Sequence, residues 1–288
     1  MKRKFTLGDF GIYALLGLIA AVMLYPLLNV ISVSLSSENG YANHPLMIFP
    51  HDFDASSYRW ILTHHLILSS YQNTLIITVG GTIISMFLTA TLAYPLSVLN
   101  LKGRKPIMAL IVFTMFFNGG MIPNYYLVRS LDMIDTLWAL MIPGALSVYN
   151  MILMKNSFEG IPASLKESAY IDGANDLVIV FRIILPLIMP TIAVLLLYYG
   201  VGHWNAWFNA SIYLQDNTKL PIQNVLRAVL IANSNILNAA AAENDKVNEF
   251  AEAIKYAAIV LTTVPVLCIY PFLQKYFVKG VMVGAVKG

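Results

Sequence analysis

The side chains best suited to specific polar recognition are concentrated in one short segment, KESAYIDGANDLVIVFRIILP at residues 166–186. This segment carries five charges in a chain of which only 11% of the residues are charged. Such a compact, charged, helix-like segment is unusual between two long hydrophobic stretches. The five charged residues are Lys166, Glu167, Asp172, Asp176 and Arg182.

The common catalytic motifs are missing from the sequence. The chain contains no G-x-x-x-x-G-K-[ST] for phosphate binding, and no H-E-x-x-H, G-x-S-x-G or G-x-G-x-x-G. His44, His51, His64 and His65 could suggest a metal site, but their spacing matches no common ligand pattern and no cysteine joins them. We therefore expect no catalytic residue, no metal site and no cofactor in this chain.

The elements that carry these residues are membrane spans. Hydrophobic residues make up 58% of the chain, against roughly 45–50% in a soluble domain. Charge-free stretches repeatedly reach the ~20 residues that a bilayer core needs. The first is too long for a signal peptide, so we expect an uncleaved anchor. We predict one transmembrane domain over 1–288, with spans at about 10–35, 71–98, 106–128, 136–155, 185–210 and 256–274.

The basic residues orient these spans. Twelve of the eighteen Lys and Arg residues fall in short segments next to spans on one side, which is typical of cytoplasmic loops. Both termini and the loop at 158–186 are then cytoplasmic, whereas the longer loops at 36–70 and 211–255 face outward. The basic charge thus reflects topology, and we expect no nucleic-acid partner. The twelve are Lys2, Arg3, Lys4, Lys102, Arg104, Lys105, Lys155, Lys166, Arg182, Lys275, Lys279 and Lys287.

Local signals predict a helix–turn–helix bracket within 158–186. Pro162 can begin a helix, Ser164 and Glu167 have capping-box spacing, and Gly173 can supply the left-handed residue that ends it. The helix then runs from about Pro162 to Ile171. On these residues alone, an amphipathic loop at the membrane surface stays open as an alternative. One side of the helix would present Leu165, Ala169 and Tyr170.

The same segment closely resembles the EAA loop of binding-protein-dependent ABC importer permeases. That pattern is E-A-A, three residues, G, nine residues, I-x-L-P. Here Glu167-Ser168-Ala169 is followed after three residues by Gly173 and after nine more by Ile183-Ile184-Leu185-Pro186, and Ser168 is the only departure. IPASLKESAYIDGA, GHWNAWFNASIYLQD and PFLQKYFVKGVMVGAVKG resemble the carbohydrate-uptake branch, which includes importers of alginate and other uronate-containing oligosaccharides.

The resemblance implies an all-α, polytopic type I importer permease with six transmembrane helices in the bacterial cytoplasmic (inner) membrane. It implies four partners besides the lipid bilayer: a cytoplasmic ATPase dimer that binds ATP and Mg, a second and different permease, an extracellular or periplasmic solute-binding protein, and an oligosaccharide. A coupling helix within 158–186 would contact the ATPase. The residues that would make this contact are Glu167, Ser168, Ala169, Asp172, Gly173, Ala174 and Pro186.

Two other stretches mix aromatic and amide side chains, as sugar sites do. GHWNAWFN offers Trp204, Asn205, Trp207 and Asn209, although an interfacial aromatic belt explains it equally. FNGGMIPNYYLVRSL offers Asn118, Asn124, Tyr125 and Tyr126, although a double glycine and a proline also mark a turn.

Two other functions compete with an importer subunit. A stand-alone secondary sugar carrier would not need the bracket, and a proton-driven carrier usually has carboxylates or basic groups within its spans. A membrane-embedded enzyme would need the catalytic motifs that are missing here. The sequence therefore favours a permease subunit that an ATPase partner drives.

Overall fold

The computed structural model describes residues 7–175, 178–231 and 251–285. These residues form helices, with one isolated bridge between Ser36 and Phe53. The all-α prediction is confirmed. The basic residues Lys2, Arg3 and Lys4, the charged Asp176, residues 232–250 of the second outward loop and the last three residues lie outside the described residues.

Helices follow one another along the chain with short connections. In order they are α1 Leu7–Ser34, α2 Glu38–Asn43, α3 Ser56–Thr63, α4 His65–Ser97, α5 Arg104–Phe116, α6 Met121–Ser130, α7 Trp138–Met141, α8 Val148–Glu159, α9 Ala163–Ile171, a π-helical turn Ile179–Ile184, α10 Leu185–Leu187, α11 Met189–Trp204, α12 Phe208–Tyr213, a 3-10 turn Asn217–Lys219, α13 Ile222–Ile231 and α14 Ala251–Ala285.

The helices belong to two compact units. One comprises the residues up to Leu68 together with Val225–Pro265, and the other comprises Ser69–Asn224 together with the residues from Val266 onward. The bracket and all the proposed substrate-pathway residues belong to the second unit.

Long apolar helices account for three of the six predicted spans. Among the described residues, three are long and apolar enough to cross a membrane: Gly8–Ser34, His65–Ser97 and Glu252–Ile269. Two further spans would each be a bent pair, α5 with α6 at 112° and the segment Ile179–Leu187 with α11 at 81°. The chain is therefore a polytopic membrane protein.

Each bend has a local cause. Before α6, Gly120 takes a positive φ of +88°, and its N–H is bonded by the Asn118 side chain at 2.9 Å. At the start of α11, Pro190 lacks an N–H and cannot bond the carbonyl of Pro186 as a continuous helix would require. That carbonyl accepts instead from the backbone N–H of Ile188.

The predicted fourth span, 136–155, is not one helix. It consists of α7 and the first part of α8, separated by residues 142–147. Gly144 has a φ of +75° and follows Pro143, a pair that interrupts helical geometry. Ser147 then begins α8, because its side chain accepts from the Asn150 N–H at 3.4 Å.

One apolar core packs against the inner side of the bracket, and we call it the bracket core. It brings together the C-terminal part of α4, α8, the buried side of α9, the π-helical turn and α11. Its buried members are Ala93, Leu96, Met151, Met154, Phe158, Ala169, Ile179, Ile184, Ile188 and Leu195.

Candidate functional site

The bracket contains the helix that the sequence predicts. α9 runs from Ala163 to Ile171, one residue shorter than expected, and Pro162 is its N-cap. Pro162 makes no side-chain cap bond. Ser164 therefore lies at the second helical position and not at the N-cap, so the capping-box assignment is wrong. Pro162 can take that place because it keeps an extended backbone (φ −56°, ψ 134°) before the helix.

Gly173 ends α9 in the left-handed conformation that the sequence predicts, with a φ of +78°. The Gly173 N–H bonds the Tyr170 carbonyl at 3.0 Å, and the Ala174 N–H bonds the Ala169 carbonyl at 2.9 Å. This pair of bonds is the Schellman motif, which satisfies the last carbonyls of a helix. No atom lies within 4 Å of the position that a Gly173 Cβ would occupy. The glycine is therefore required by backbone conformation and not by crowding.

Ala169 faces the opposite way from the expectation. We expect it on the surface that a partner approaches, but only 6% of it is exposed and it packs into the bracket core. Ala174 also packs against that core. Small side chains here allow α9 to lie close against its own bundle. This close packing keeps α9 attached to the bracket core.

The exposed side of α9 combines an acid with an apolar group. Glu167 and Ser168 are exposed, and so is Asp172 in the turn. Ile171, one helical turn after Glu167, is 86% exposed. Ile171 could not be recognised from the sequence as an exposed contact residue, because isoleucine is common throughout so apolar a chain. The signal available was its i+4 spacing from Glu167, which puts both on one face.

The second arm of the bracket returns the chain to the membrane. Asn175 accepts the Val178 N–H at 2.9 Å, and Ile179 and Ile184 are fully buried in the bracket core. Pro186 lies in α10, exposed, just before the bend into α11. Its position marks the turn into the predicted fifth span.

Trp204 is not on an open surface. It is 5% exposed, packs edge-on against Tyr71 with ring centroids 6.3 Å apart, and lines a cavity of about 230 Å³. Apart from Thr78 and the tryptophan itself, that cavity is lined by aliphatic groups, which do not match sugar hydroxyls. The lining residues are Thr78, Leu196, Leu197, Gly200, Val201, Trp204, Val266 and Ile269.

The other residues of GHWNAWFN lie at the break between α11 and α12. The Asn205 side chain accepts from Gln223 Nε2 at 3.2 Å, and both Asn205 and Asn209 are exposed. Trp207 is half-buried and lies edge-on to Phe208, with centroids 5.5 Å apart. These groups are more accessible than Trp204.

The residues of the other stretch lie around the bend between α5 and α6. Asn118 and Asn124 are exposed, and Asn118 bonds the Gly120 N–H. Tyr125 is half-buried and stacks on Tyr213, with ring centroids 6.3 Å apart. Tyr126 is 62% exposed, so the two amides and Tyr126 are the accessible groups of this stretch.

A polar contact between α4 and α11 involves His203, a residue that the sequence analysis did not weigh. His203 Nε2 lies 3.3 Å from Ser85 Oγ. A Cβ on Gly81 would come within 2.7 Å of the imidazole, so the glycine makes room for the ring. Nearby, Thr89 and the Tyr199 hydroxyl are 2.6 Å apart. Polar groups of this kind join helices inside membranes.

An ionic cluster joins the loop after α6 to the segment after α12. Lys219 Nζ lies 2.6 Å from Asp135 Oδ2, and Asp135 Oδ1 accepts the backbone N–H groups of Gln215 and Asp216, each at 3.0 Å. The Lys219 ammonium, followed by the two backbone donors, lowers the pKa of Asp135 to about 2. The same contact raises the pKa of Lys219. Asp135 also has a φ of +58°.

A bundle of apolar and bent helices with an exposed short helix between two of its spans is compatible with a membrane permease component. Over residues 66–283 the chain matches the family described as binding-protein-dependent transport system inner membrane component, and it belongs to that family.

Similar proteins include permeases of sugar transport systems. The chain is 42% identical over its full length, and that of the relative, to the polygalacturonan/rhamnogalacturonan transport system permease protein YtcP of Bacillus subtilis (strain 168). It is 41% identical to Protein LplC of the same organism, covering 95% of this chain and 92% of LplC.

A solved structure shares the fold. A crystal structure of a bacterial ABC transporter involved in the import of the acidic polysaccharide alginate contains a chain 35% identical to this one, with a TM-score of 0.86. The alignment covers 96% of this chain and 100% of that chain. The predicted fold of a carbohydrate ABC importer permease is therefore confirmed.

Proposed function

We propose that this chain is a permease subunit of an ATP-driven oligosaccharide importer, forms half of the translocation pore, and couples to a cytoplasmic ATPase through 158–186. The observation that carries the proposal is α9: an exposed Glu167–Ile171 face on a helix that Ala169 holds against the bundle. A loop that only lies at the membrane surface would not need a helix packed into the core in this way.

The chemistry of the exposed face fits a cleft on a partner protein. Fully burying an isoleucine side chain contributes roughly 1.5–3 kcal/mol. Ile171 is 86% exposed, so most of that contribution is available on docking. Glu167 would bond a basic group at the rim of the cleft, and the turn at Asp172–Gly173 would fix the direction of approach. ATP and Mg would be bound by the partner ATPase.

The remaining partners follow from the family and from the spans. A solute-binding protein would deliver the sugar on the outer side, with both termini of this chain cytoplasmic. None of the apolar window of α1 is buried within the chain. This leaves its surface for lipid and for a second, different permease subunit.

The substrate we propose is a uronate-containing oligosaccharide, because the similar proteins are named for polygalacturonan, rhamnogalacturonan and alginate transport. The exposure pattern favours four exposed amides as pathway residues, Asn118, Asn124, Asn205 and Asn209, whereas Tyr125 and Trp207 are half-buried. Trp204 is buried and contributes packing instead. No single contact is specific for one sugar, so the binding protein would set most of the specificity.

The test is reconstitution of the complete importer in liposomes with Ile171→Glu or Glu167→Lys. We expect the binding protein to retain its affinity for sugar, while ATP-dependent uptake and ATPase co-purification fall sharply. Leu99→Glu is the matched control, because Leu99 is 74% exposed in a loop predicted to lie on the same side. It should behave like the wild type.

Two results would contradict the proposal. Normal uptake by both bracket variants in an intact assembly would remove α9 from the coupling. Uptake driven by an ion gradient in liposomes that contain this chain without an ATPase would identify a secondary carrier.

A further inference from the structure

Arg104, the first residue of α5, is bonded to two other elements. Its Nε donates to the Leu96 carbonyl in the last turn of α4 at 2.8 Å, and its Nη2 donates to Glu159 Oε1 at the end of α8. The Arg104 side chain is 21% exposed and that of Glu159 is 25% exposed. The three helix ends therefore meet at one guanidinium.

Glu159 lies directly before the bracket. It is the last residue of α8, and only residues 160–162 separate it from α9. Its other oxygen, Oε2, accepts from Lys155 Nζ at 2.9 Å. The carboxylate is therefore held from both sides by partly buried cations. Exposed ion pairs contribute little because both side chains move freely, whereas this pair is enclosed and its arginine is also fixed by a backbone carbonyl.

Arg104 adds a polar bond to the apolar packing at the start of α5. Ala169 and Ile179 attach the bracket to α4, α8 and α11 through the bracket core. Met108 and Ile111 of α5 only flank that core, being partly buried against it. Among the described residues, the start of α5 makes its polar bond to the bracket side of the bundle through Arg104 and Glu159.

We propose that Arg104 is a positioning residue that joins the base of the bracket to α4 and α5. A displacement of α9 then moves the second and third predicted spans together with the fourth and fifth. Apolar contacts slide easily, whereas a guanidinium bonded at two ends resists relative movement. This inference rests on the proposed function, since it assigns a role within the same coupling step.

The experiment measures ATP hydrolysed per sugar imported by the complete reconstituted importer. For Arg104→Met we expect this ratio to rise about fivefold or more, in the range of ordinary coupling effects, because ATPase motion reaches only part of the bundle. Glu159→Gln should raise the ratio less, since an amide oxygen still accepts a bond. Arg104→Lys should restore part of the coupling, because a cation still faces Glu159.

Lys105→Met is the matched control. Lys105 is the adjacent, exposed basic residue on the same turn, so its removal changes the loop charge equally. The ratio should stay at the wild-type value. A merely structural role for Arg104 would lower the yield of assembled complex in Arg104→Met and leave its ratio unchanged.

A second measurement follows movement directly. Spin labels at Ser164 on α9 and Leu110 on α5, both exposed and both outside the proposed ATPase contact, would be introduced after Cys268→Ser. In the otherwise unchanged chain the distance between the labels should stay constant when ATP binds. In the Glu159→Gln and Arg104→Lys proteins it should change.

The outcomes separate this inference from the function on which it rests. Unchanged ATP-to-sugar ratios in Glu159→Gln and Arg104→Lys, together with a constant label distance, would overturn the role of Arg104, and they apply even when Arg104→Met does not assemble. A wild-type importer without ATP-dependent uptake would instead overturn the proposed function.

Discussion

The turn at Gly173 offers the sharpest test of how the bracket is held. Gly173 has a φ of +78°, and the Schellman bonds of Gly173 and Ala174 depend on that conformation. We consider replacement by Asn, Ala and Val. Asparagine tolerates the left-handed region, alanine is strained there, and a β-branched residue is a genuine outlier.

The expected magnitude comes from the backbone alone. No atom lies within 4 Å of the added Cβ, so no steric clash adds to the strain. Left-handed geometry costs roughly 1–2 kcal/mol for alanine, which corresponds to a roughly 5–30-fold loss in the population of the turn. For valine the cost reaches about 3 kcal/mol. Impairment should therefore increase from Gly173→Asn to Gly173→Ala to Gly173→Val.

The assay is co-purification of the ATPase, followed by stimulation of ATP hydrolysis by the loaded binding protein. Gly160→Ala is the control at the other end of the bracket, because Gly160 has an ordinary φ of −70°. It should be neutral. If Gly173→Val matched the wild type, or if Gly173→Asn were as impaired as Gly173→Val, the conformational explanation would fail.

Three further predictions concern the rest of the bundle. Asp135→Asn should lower the melting temperature at neutral pH. Because the pKa of Asp135 is lowered to about 2, its contribution is complete above its ordinary pKa of 3.8 and is lost as the pH falls towards 2, so melting curves of mutant and wild type should converge there. Asp132→Asn, also at positive φ, is the control and should leave the melting temperature at neutral pH unchanged. Gly81→Ala should destabilise by about 1–3 kcal/mol through overpacking against the imidazole, whereas Gly202→Ala, with open space around it, should not. Trp204→Ala should cost roughly 3–5 kcal/mol in denaturant unfolding, and an unchanged midpoint would mean that the indole is not buried.

Much of the bracket could be predicted because its determinants are local. Pro162 and Gly173 restrict their own backbone angles, so the ends of α9 follow from single residues. The apolar stretches indicate a membrane protein for an equally local reason, since length and hydropathy decide whether a segment can span a bilayer. The resemblance to the EAA loop adds the expectation that this segment contacts an ATPase.

Bends and breaks were less predictable. Pro190, Gly120 and Gly144 are visible as helix breakers, but helices in membranes often continue past such residues. Whether the chain bends by 81°, as before α11, or continues depends on the neighbouring helices that replace the missing backbone bonds. For this reason the sequence predicts a continuous fourth span, whereas residues 142–147 interrupt it in the structure.

The sequence by itself determined where α9 begins and ends and that this chain lies in a membrane. Only the tertiary structure decided that Ala169 and Trp204 face inward, that Ile171 faces outward, and that Arg104 meets Glu159 across 55 residues. The physical reason is that the spans are apolar on every side. Hydropathy then cannot distinguish a face packed against another helix from one that meets lipid, so only the packed neighbours assign each side chain its surroundings.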